Sequence, residues 1–252
     1  MPTRRNTALE RVNTLLETSA ETDHGYLDLL GTADQAGPPT GLTQRLMRTS
    51  LLPQVYERYW RPALGRALKG PFGPGMAGEV TLATKLLRLE PGRTVLDVAC
   101  GTGRFTRAFG VAVGPGGLAI GLDGARAMLA KAVAEGGPDT VAYLRADAVR
   151  LPLKPSTVDG ICCFAALHMF AEPQTALDSF ARVLRPGGRI VLLTTARSGR
   201  QPLRLIESAG GIVSGQRMFD RGEIAASLRA RGFTEITERY AGVTQIVAGR
   251  LG

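Results

Sequence analysis

Two closely spaced glycines follow an acidic residue in the middle of the chain. Residues 94–103 read Thr-Val-Leu-Asp-Val-Ala-Cys-Gly-Thr-Gly, so a short apolar run ends in a turn built on Gly101 and Gly103. Glycine has no Cβ and adopts positive φ angles, which lets a ligand approach the bare backbone. A helix predicted to begin near Arg104 adds unpaired N–H groups at its start. These features indicate a ligand-binding turn, although the turn alone fits dinucleotides, nucleosides and plain loop closure alike.

Two aspartates further along the chain narrow the range of ligands that the turn could bind. Asp123 ends the apolar run 118–122, at a strand end where a carboxylate can accept both hydroxyls of a ribose. Asp147 follows the run 141–144 and is placed to accept a hydrogen bond from the exocyclic amine of an adenine. The nicotinamide dinucleotide fingerprint needs a third glycine three residues after the second, but position 106 is threonine. The two aspartates therefore favour an adenosine cofactor. The missing third glycine disfavours a dehydrogenase.

A histidine lies where the fourth predicted strand ends. Residues 164–170 read Phe-Ala-Ala-Leu-His-Met-Phe, and this exit is the segment expected to face the reacting group. With an ordinary pKa near ~6.5, His168 can deprotonate an oxygen nucleophile or polarise a phenol. A structural role, in which His168 lines the pocket and is held by a hydrogen bond, fits this position equally well.

Alternating strand and helix patterns position these residues. Strands are predicted at 94–98, 118–122, 141–144, 158–164 and 189–195, with helices near 104–109, 124–135 and 173–184 between them. A helix at 221–231 and two strands at 234–240 and 245–248, which can pair as a hairpin, follow. The alternation predicts an α/β fold with a parallel sheet and right-handed crossovers.

Composition divides the chain into three regions. Residues 1–45 carry a modest helical pattern and then a segment rich in Thr, Gly and Pro, which predicts a weakly ordered N-terminal arm. Residues 46–90 combine helical spacing with a turn-rich stretch and are interpreted as a helical cap. Residues 91–252 are predicted to form the ligand-binding domain.

The composition excludes several classes of protein. Among 252 residues, 44% are hydrophobic, and no run reaches the ~18 apolar residues of a membrane span. The first residues lack the apolar stretch of a secretory signal, and three cysteines form no paired framework, so a cytoplasmic location is expected. With two histidines and no ligand spacing, no metal is assigned.

The formal net charge of +9 permits two interpretations. A basic surplus can serve nucleic acid, anionic lipid or an anionic substrate. However, only four of the 31 basic residues are lysines, and the arginines are scattered without a cluster of five or six. This pattern favours an arginine-rich composition over a dedicated polyanion surface.

Several motifs in order carry a resemblance to a known family. Asp-Val-Ala-Cys-Gly-Thr-Gly at 97–103, the run 113–123 ending in Leu-Asp, Ala-Asp at 146–147 with Leu-Pro at 151–152, and Arg-Val-Leu-Arg-Pro-Gly-Gly at 182–188 resemble class I S-adenosylmethionine (SAM) methyltransferases. The nearest group is that of ubiquinone and menaquinone biosynthesis and its small-molecule relatives. The resemblance implies a Rossmann-like, doubly wound, mostly parallel seven-stranded sheet with the last strand antiparallel.

The resemblance also implies roles for individual residues. SAM is the implied cofactor, and transfer of its methyl group to O or C of a small, apolar or aromatic acceptor is the implied reaction. The implied cofactor-binding residues are Asp97, Ala99, Gly101, Gly103, Asp123, Met128, Asp147, Ala148 and Ala165. The predicted substrate residues are Tyr56, Trp60 and His168, of which His168 is also the catalytic candidate.

Two other functions are weighed against this one. An RNA methyltransferase would use the basic surface, but the fourth strand ends in Ala-Ala-Leu-His rather than the Asn/Asp-Pro-Pro-Tyr/Phe motif that reads a flipped base, so nucleic acid is a disfavoured partner. A non-catalytic SAM-binding protein would carry the same glycine turn. A homodimer is compatible with the sequence, which does not determine the oligomeric state.

Overall fold

One mixed sheet organises the chain in the computed structural model, which describes residues 4–31, 75–197 and 217–252. Its strands are β1 (Glu21–Asp23), β2 (Tyr26–Asp28), β3 (Thr94–Val98), β4 (Leu118–Asp123), β5 (Val141–Arg145), β6 (Val158–Phe164), β7 (Leu184–Thr195), β8 (Phe233–Ala241) and β9 (Thr244–Leu251). The described helices are α1 (Arg4–Leu15), α2 (Met76–Leu87), α3 (Arg104–Val113), α4 (Arg126–Ala134), α5 (Pro173–Val183) and α6 (Glu223–Arg229), with a 3-10 turn, η1 (Leu167–Met169). None of these helices is long and apolar enough to cross a membrane.

The central strands are apolar on both faces because helices cover both faces. Val95 and Leu96 are fully buried, although neighbouring residues on a strand point to opposite sides. One face packs against apolar residues of α1, α5 and α6. The other packs against those of α2, α3 and α4. The fold is therefore doubly wound, as predicted.

The strand order reverses at the centre of the sheet. Across the described part of the chain the order is β1-β2-β5-β4-β3-β6-β7-β9-β8, so β3 pairs with β4 on one side and with β6 on the other. Chain connections leave β3 and β6 in opposite directions, which opens a crevice beyond their carboxyl ends. In open α/β sheets this is the place where ligands bind.

The seven strands predicted from the sequence are all present. β3 and β6 have the predicted bounds, and the other five overlap the predicted ranges. The last strand, β9, is antiparallel to β7, and β8 pairs with it as the predicted hairpin. The predicted fold class is confirmed.

The structure corrects the expectation for the N-terminal region. Instead of a weakly ordered arm, residues 4–31 form α1 and the β1–β2 hairpin, and β2 adds to the sheet in parallel beside β5. Leu9, Val12 and Leu16 are buried, so the modest helical pattern of this region is a core-facing stripe. Of the predicted cap, only residues 75–90 are described, and there α2 packs onto the sheet through Ala83 and Leu87. Residues 32–74 lie outside the described part.

A buried ion pair attaches the hairpin to the sheet. The side chain of Arg145 is fully buried, and its Nη1 lies 3.2 and 3.1 Å from the two carboxylate oxygens of Asp28. The same nitrogen donates to the carbonyl of Gly31 at 2.7 Å, and Nε donates to the carbonyl of Gly124 at 3.1 Å. One guanidinium thus joins the N-terminal segment, β5 and the loop after β4.

Arg145→Met should lower the free energy of unfolding by about 2 kcal/mol, because the Gly124 carbonyl loses its donor and Asp28 loses its fully buried partner, although Arg126 stays 3.1 Å from that carboxylate. The measurement is urea denaturation followed by circular dichroism. Arg150→Met is the control, because Arg150 and its partner Glu172 are both largely exposed and such pairs contribute about 0–1 kcal/mol. Equal losses in the two variants would show that the buried pair is not what holds the hairpin.

Candidate functional site

The turn after β3 has the conformation that the glycines predict. Gly101 and Gly103 have φ angles of 56° and 75°, and Ala99 also lies in the left-handed region at 56°. A Cβ on Gly103 would lie 2.2 Å from the hydroxyl oxygen of Tyr143, so no larger residue fits without moving that ring. Gly103 is also the residue directly before α3. The turn therefore brings bare backbone to the crevice and starts a helix there.

Asp123 holds this turn from the neighbouring strand. Its Oδ2 accepts a hydrogen bond from the N–H of Gly101 at 2.9 Å, and its Oδ1 accepts one from the N–H of Ala125 at 2.9 Å. Burial raises the pKa of Asp123, while the backbone N–H groups of Ala125, Gly101 and Gly124 act in the opposite direction. The side chain is half-buried, and a carboxylate has about four acceptor positions. Acceptor positions remain for a ligand.

Asp97 lies beneath the turn. It is 3% exposed, and its Oδ2 accepts a hydrogen bond from the Thr106 hydroxyl at 2.6 Å. Thr106 stands where a dinucleotide fingerprint has its third glycine. Here its hydroxyl ties the first turn of α3 to the end of β3. Any direct contact of Asp97 with a cofactor stays a prediction.

The thiol of Cys100, within the turn, is affected by both carboxylates. Burial raises the pKa of Cys100 well above its usual value, and the charges of Asp123 and Asp97 raise it further. The turn is therefore an electronegative environment. Such an environment suits a cationic ligand group.

The loop after β5 carries Asp147 and Ala148, both half-buried. Asp147 Oδ1 accepts a hydrogen bond from the N–H of Val149 at 2.8 Å, which closes the loop on itself. Met128, on α4, is 8% exposed and belongs to the buried side of that helix. The sheet register places the ends of β3, β4 and β5 side by side, so these positions border one crevice.

A second strained alanine marks the exit of β6. Ala165 has a φ angle of 58°, and its N–H donates to the carbonyl of Leu193 at 2.8 Å. Ala99 and Ala165 follow paired strands, so two left-handed alanines border the switch point together. Alanine rarely adopts this conformation, and residues that do so cluster at functional sites.

His168 lies in η1, just after Ala165. Its Nδ1 is 3.3 Å from the hydroxyl oxygen of Thr194 on β7, and the side chain is nearly buried. Burial lowers the pKa of His168 to about 4, so the imidazole is neutral at pH 7. A neutral ring can orient a hydroxyl group by hydrogen bonding, but a pKa this low makes it a weak base.

Gln245 is a polar residue near this site that the sequence analysis did not single out. It lies opposite Thr194 in the β7–β9 pair and therefore on the same face of the sheet. Its side chain is fully buried, with Nε2 donating to the carbonyl of Thr195 at 2.9 Å. Within the described residues, its Oε1 has no hydrogen-bond partner. The sequence signal that could have identified Gln245 is its amide side chain beside the apolar residues of β9.

The two aromatic substrate candidates, Tyr56 and Trp60, lie outside the described residues. The structure brings the other predicted residues to the carboxyl edge of the sheet or directly beneath it. Their contacts with a ligand remain predictions.

Comparison with known proteins places this site in a family. Residues 96–192 match the family described as "Methyltransferase domain". An uncharacterised chloroplast methyltransferase of Arabidopsis thaliana is 34% identical over 181 residues, which cover 68% of this chain and 50% of that protein. A demethylmenaquinone methyltransferase of Anoxybacillus flavithermus is 35% identical over 116 residues, 45% of this chain and 49% of that protein. The chain spans about half the length of these relatives.

The fold agrees with the sequence comparison. The crystal structure of a SAM-dependent methyltransferase from Aquifex aeolicus matches with a TM-score of 0.58 at 21% identity, covering 81% of this chain and 99% of that one. The family match over residues 96–192 includes the glycine turn and β4 to β6, which border the crevice. On this evidence residues 96–192 form a methyltransferase domain, and the chain has the fold of SAM-dependent methyltransferases.

Proposed function

We propose that this chain transfers a methyl group from SAM to oxygen or carbon of a small, apolar or aromatic acceptor. The observation that carries the proposal is the hydrogen bond from the N–H of Gly101 to Asp123, which fixes a bare glycine turn at the switch point of the sheet. A half-buried carboxylate beside such a turn is what a ribose and the adjoining chain of a nucleoside cofactor require.

The residues present fit SAM. Gly101 has a positive φ angle in the turn, and Gly103 cannot carry a Cβ because Tyr143 fills that position. Asp123 would hold the ribose hydroxyls, while Asp147 and Ala148 would meet the adenine, with Met128 beside it. Ala99 and Ala165 have small side chains at the two strand ends that face the centre of the crevice. The electronegative turn would favour the positively charged sulfonium and amino groups.

SAM supplies a methyl group on a sulfonium, which is open to in-line attack. The protein mainly has to align the acceptor and exclude water, so few side chains need take part. We propose that His168 hydrogen-bonds the acceptor, and that the unpartnered Oε1 of Gln245 belongs to the same polar end of the pocket. Tyr56 and Trp60 are proposed as the aromatic side of that pocket.

The compartment and assembly are part of the proposal. All three cysteines are unpaired, which fits a reducing compartment such as the cytoplasm. The demethylmenaquinone methyltransferase relative supports a quinol-like acceptor, and a homodimer is proposed from the sequence alone.

The direct test is an assay with methyl-labelled SAM against a panel of quinols, phenols and small carbon acids. We expect transfer to at least one member, with His168→Ala lowering kcat tenfold or more while the Kd for SAM stays within twofold. Equal losses in both parameters would place His168 in the cofactor site or the fold. Tight SAM binding without transfer to any acceptor would favour a non-catalytic binder, and salt-sensitive methylation of tRNA would favour an RNA methyltransferase.

Calorimetry tests the assignment of Asp123. Asp123→Ala should weaken SAM binding tenfold or more, about 1.4 kcal/mol, because it removes the ribose acceptor and releases the turn. To separate these causes, S-adenosylhomocysteine is compared with its 2′-deoxy counterpart. The wild type should lose affinity for the deoxy compound, whereas Asp123→Ala should not distinguish the two. Asp178→Ala, on an exposed side chain, is the control. A variant that still distinguishes the two compounds would contradict the ribose contact.

The low pKa of His168 predicts a pH dependence of stability. In the unfolded chain histidine protonates near ~6.5, but in the folded protein only near about 4, so the unfolded state binds more protons between these values. The stability contributed by the neutral ring is present above pH 6.5 and is lost as pH falls to 4, by about 3 kcal/mol. Denaturation at pH 7, 5.5 and 4 should show this loss in the wild type and a smaller one in His168→Gln. His24→Gln is the control on an exposed ring, and an identical loss in both variants would contradict the assignment.

A further inference from the structure

Five arginines gather at the edge of the sheet opposite the candidate methyl-transfer site. Arg88, Arg93, Arg185, Arg189 and Arg250 line a cavity of about 520 Å³, here called the arginine cleft. The cleft lies where β3 and β6 begin and β9 ends, together with the Pro186-Gly187-Gly188 turn of β7. Because β6 spans seven residues, roughly 20 Å separates this edge from the carboxyl edge. The cleft is a separate place in the molecule.

The charges in the cleft do not cancel. Three carboxylates, those of Glu90, Asp159 and Glu235, stand against the five guanidiniums. Asp159 is almost buried between Arg93 and Arg185, and its Oδ2 also accepts a hydrogen bond from the N–H of Thr94 at 2.8 Å. The carboxylate oxygens of Asp159 are therefore already used in contacts within the protein. Two positive charges remain in excess, which attracts an anion.

Arg88 and Arg250 carry this excess. Their guanidiniums approach Glu235 only to 4.0 and 3.9 Å, beyond hydrogen-bond distance, because Glu235 is hydrogen-bonded to Arg189. Both side chains are well exposed, at 69% and 45%. Arginine presents a planar fork of N–H groups that matches the oxygens of a phosphate.

Strained backbone surrounds the cleft. Arg88 and Glu235 both have a φ angle of 49°, and Ser156, whose carbonyl accepts a hydrogen bond from Arg185 at 3.2 Å, has 54°. Among the described non-glycine residues, the left-handed conformation occurs at these three positions, at the two alanines of the cofactor crevice and at His24. Arg88 is the left-handed C-cap of α2, and Glu235 lies at the register shift between β8 and β9, so a helix end and a strand irregularity border the cleft.

A glycine gives one of these arginines its position. A Cβ on Gly187 would lie 3.2 Å from Nη2 of Arg250, so this guanidinium lies against bare backbone of the turn. Gly187 has a φ angle of 79°, which favours glycine there in any case. The floor of the cleft is therefore backbone and guanidinium.

We propose that the arginine cleft binds the diphosphate or phosphate group of a small soluble ligand. Its volume lies within the range of small-molecule sites, and its unsatisfied charge is close to that of one such group. A continuous nucleic acid backbone is disfavoured because the three carboxylates interrupt the positive surface. The site stands independently of the proposed methyl transfer.

Calorimetry with inorganic pyrophosphate, inorganic phosphate and ADP tests the proposal, each at constant ionic strength. The wild type should bind pyrophosphate, and the double variant Arg88→Gln/Arg250→Gln should weaken binding tenfold or more. The double variant Arg150→Gln/Arg239→Gln removes the same charge at exposed arginines elsewhere and should change the Kd less than twofold. Arg250→Lys keeps the charge but loses the fork, so an intermediate loss is expected.

The ligands distinguish the source of the phosphate. ADP binding tenfold tighter than pyrophosphate would assign the site to a nucleotide, and equal binding would assign it to the diphosphate group alone. No binding by the wild type, or equal losses in the two double variants, would overturn the proposal. A short RNA that binds more tightly than both ligands and is released by the cleft variant would also overturn it. The Kd for SAM in the cleft variant should stay within twofold, which separates this result from any failure of the proposed methyl transfer.

Discussion

The hydrogen bond from the N–H of Gly101 to Asp123 is the constraint on which the candidate site depends. It joins the end of β3 to the end of β4, so the shape of the turn is set by a neighbouring strand as well as by its own glycines. A second bond, from the Thr106 hydroxyl to Asp97, fixes the helix that follows. Two carboxylates at adjacent strand ends thus hold a backbone that offers no side chain of its own to a ligand.

The polarity of the site follows from the same arrangement. The turn is electronegative, whereas the exit of β6 carries a neutral histidine, and β9 carries a buried amide opposite Thr194, which contacts that histidine. Under the proposed function, a cationic donor and an uncharged acceptor have different electrostatic requirements, and they would lie at different strand ends. The arginines of the cleft are concentrated at the opposite edge of the sheet, so an anionic ligand there would not compete with the cofactor for the same residues.

Sequence reasoning was most reliable where burial on both sides of the sheet leaves a continuous apolar run. β3 was predicted to the residue, and the glycine turn and Asp123 stood out because each lies where an apolar run ends. The hairpin was missed because β1 is the polar tripeptide Glu-Thr-Asp and because the buried partner of Asp28 in β2 is an arginine 117 positions away. The arginine cleft was missed for a related reason: its members are scattered from position 88 to 250 and resemble background composition. Local sequence patterns do not predict contacts between residues that are far apart in the chain and that only the fold brings together.

The ion pair between Arg145 and Asp28 has a consequence for the order of assembly. The two residues are 117 positions apart, and a contact this far along the chain closes slowly. The β1–β2 hairpin leaves the ribosome early, but the strand it pairs with is synthesised much later. An isolated two-stranded hairpin is marginal in water, and its open edge can recruit other strands. The hairpin is therefore made well before β5, the strand with which it pairs, and until then its exposed edge is a point where newly made chains can associate.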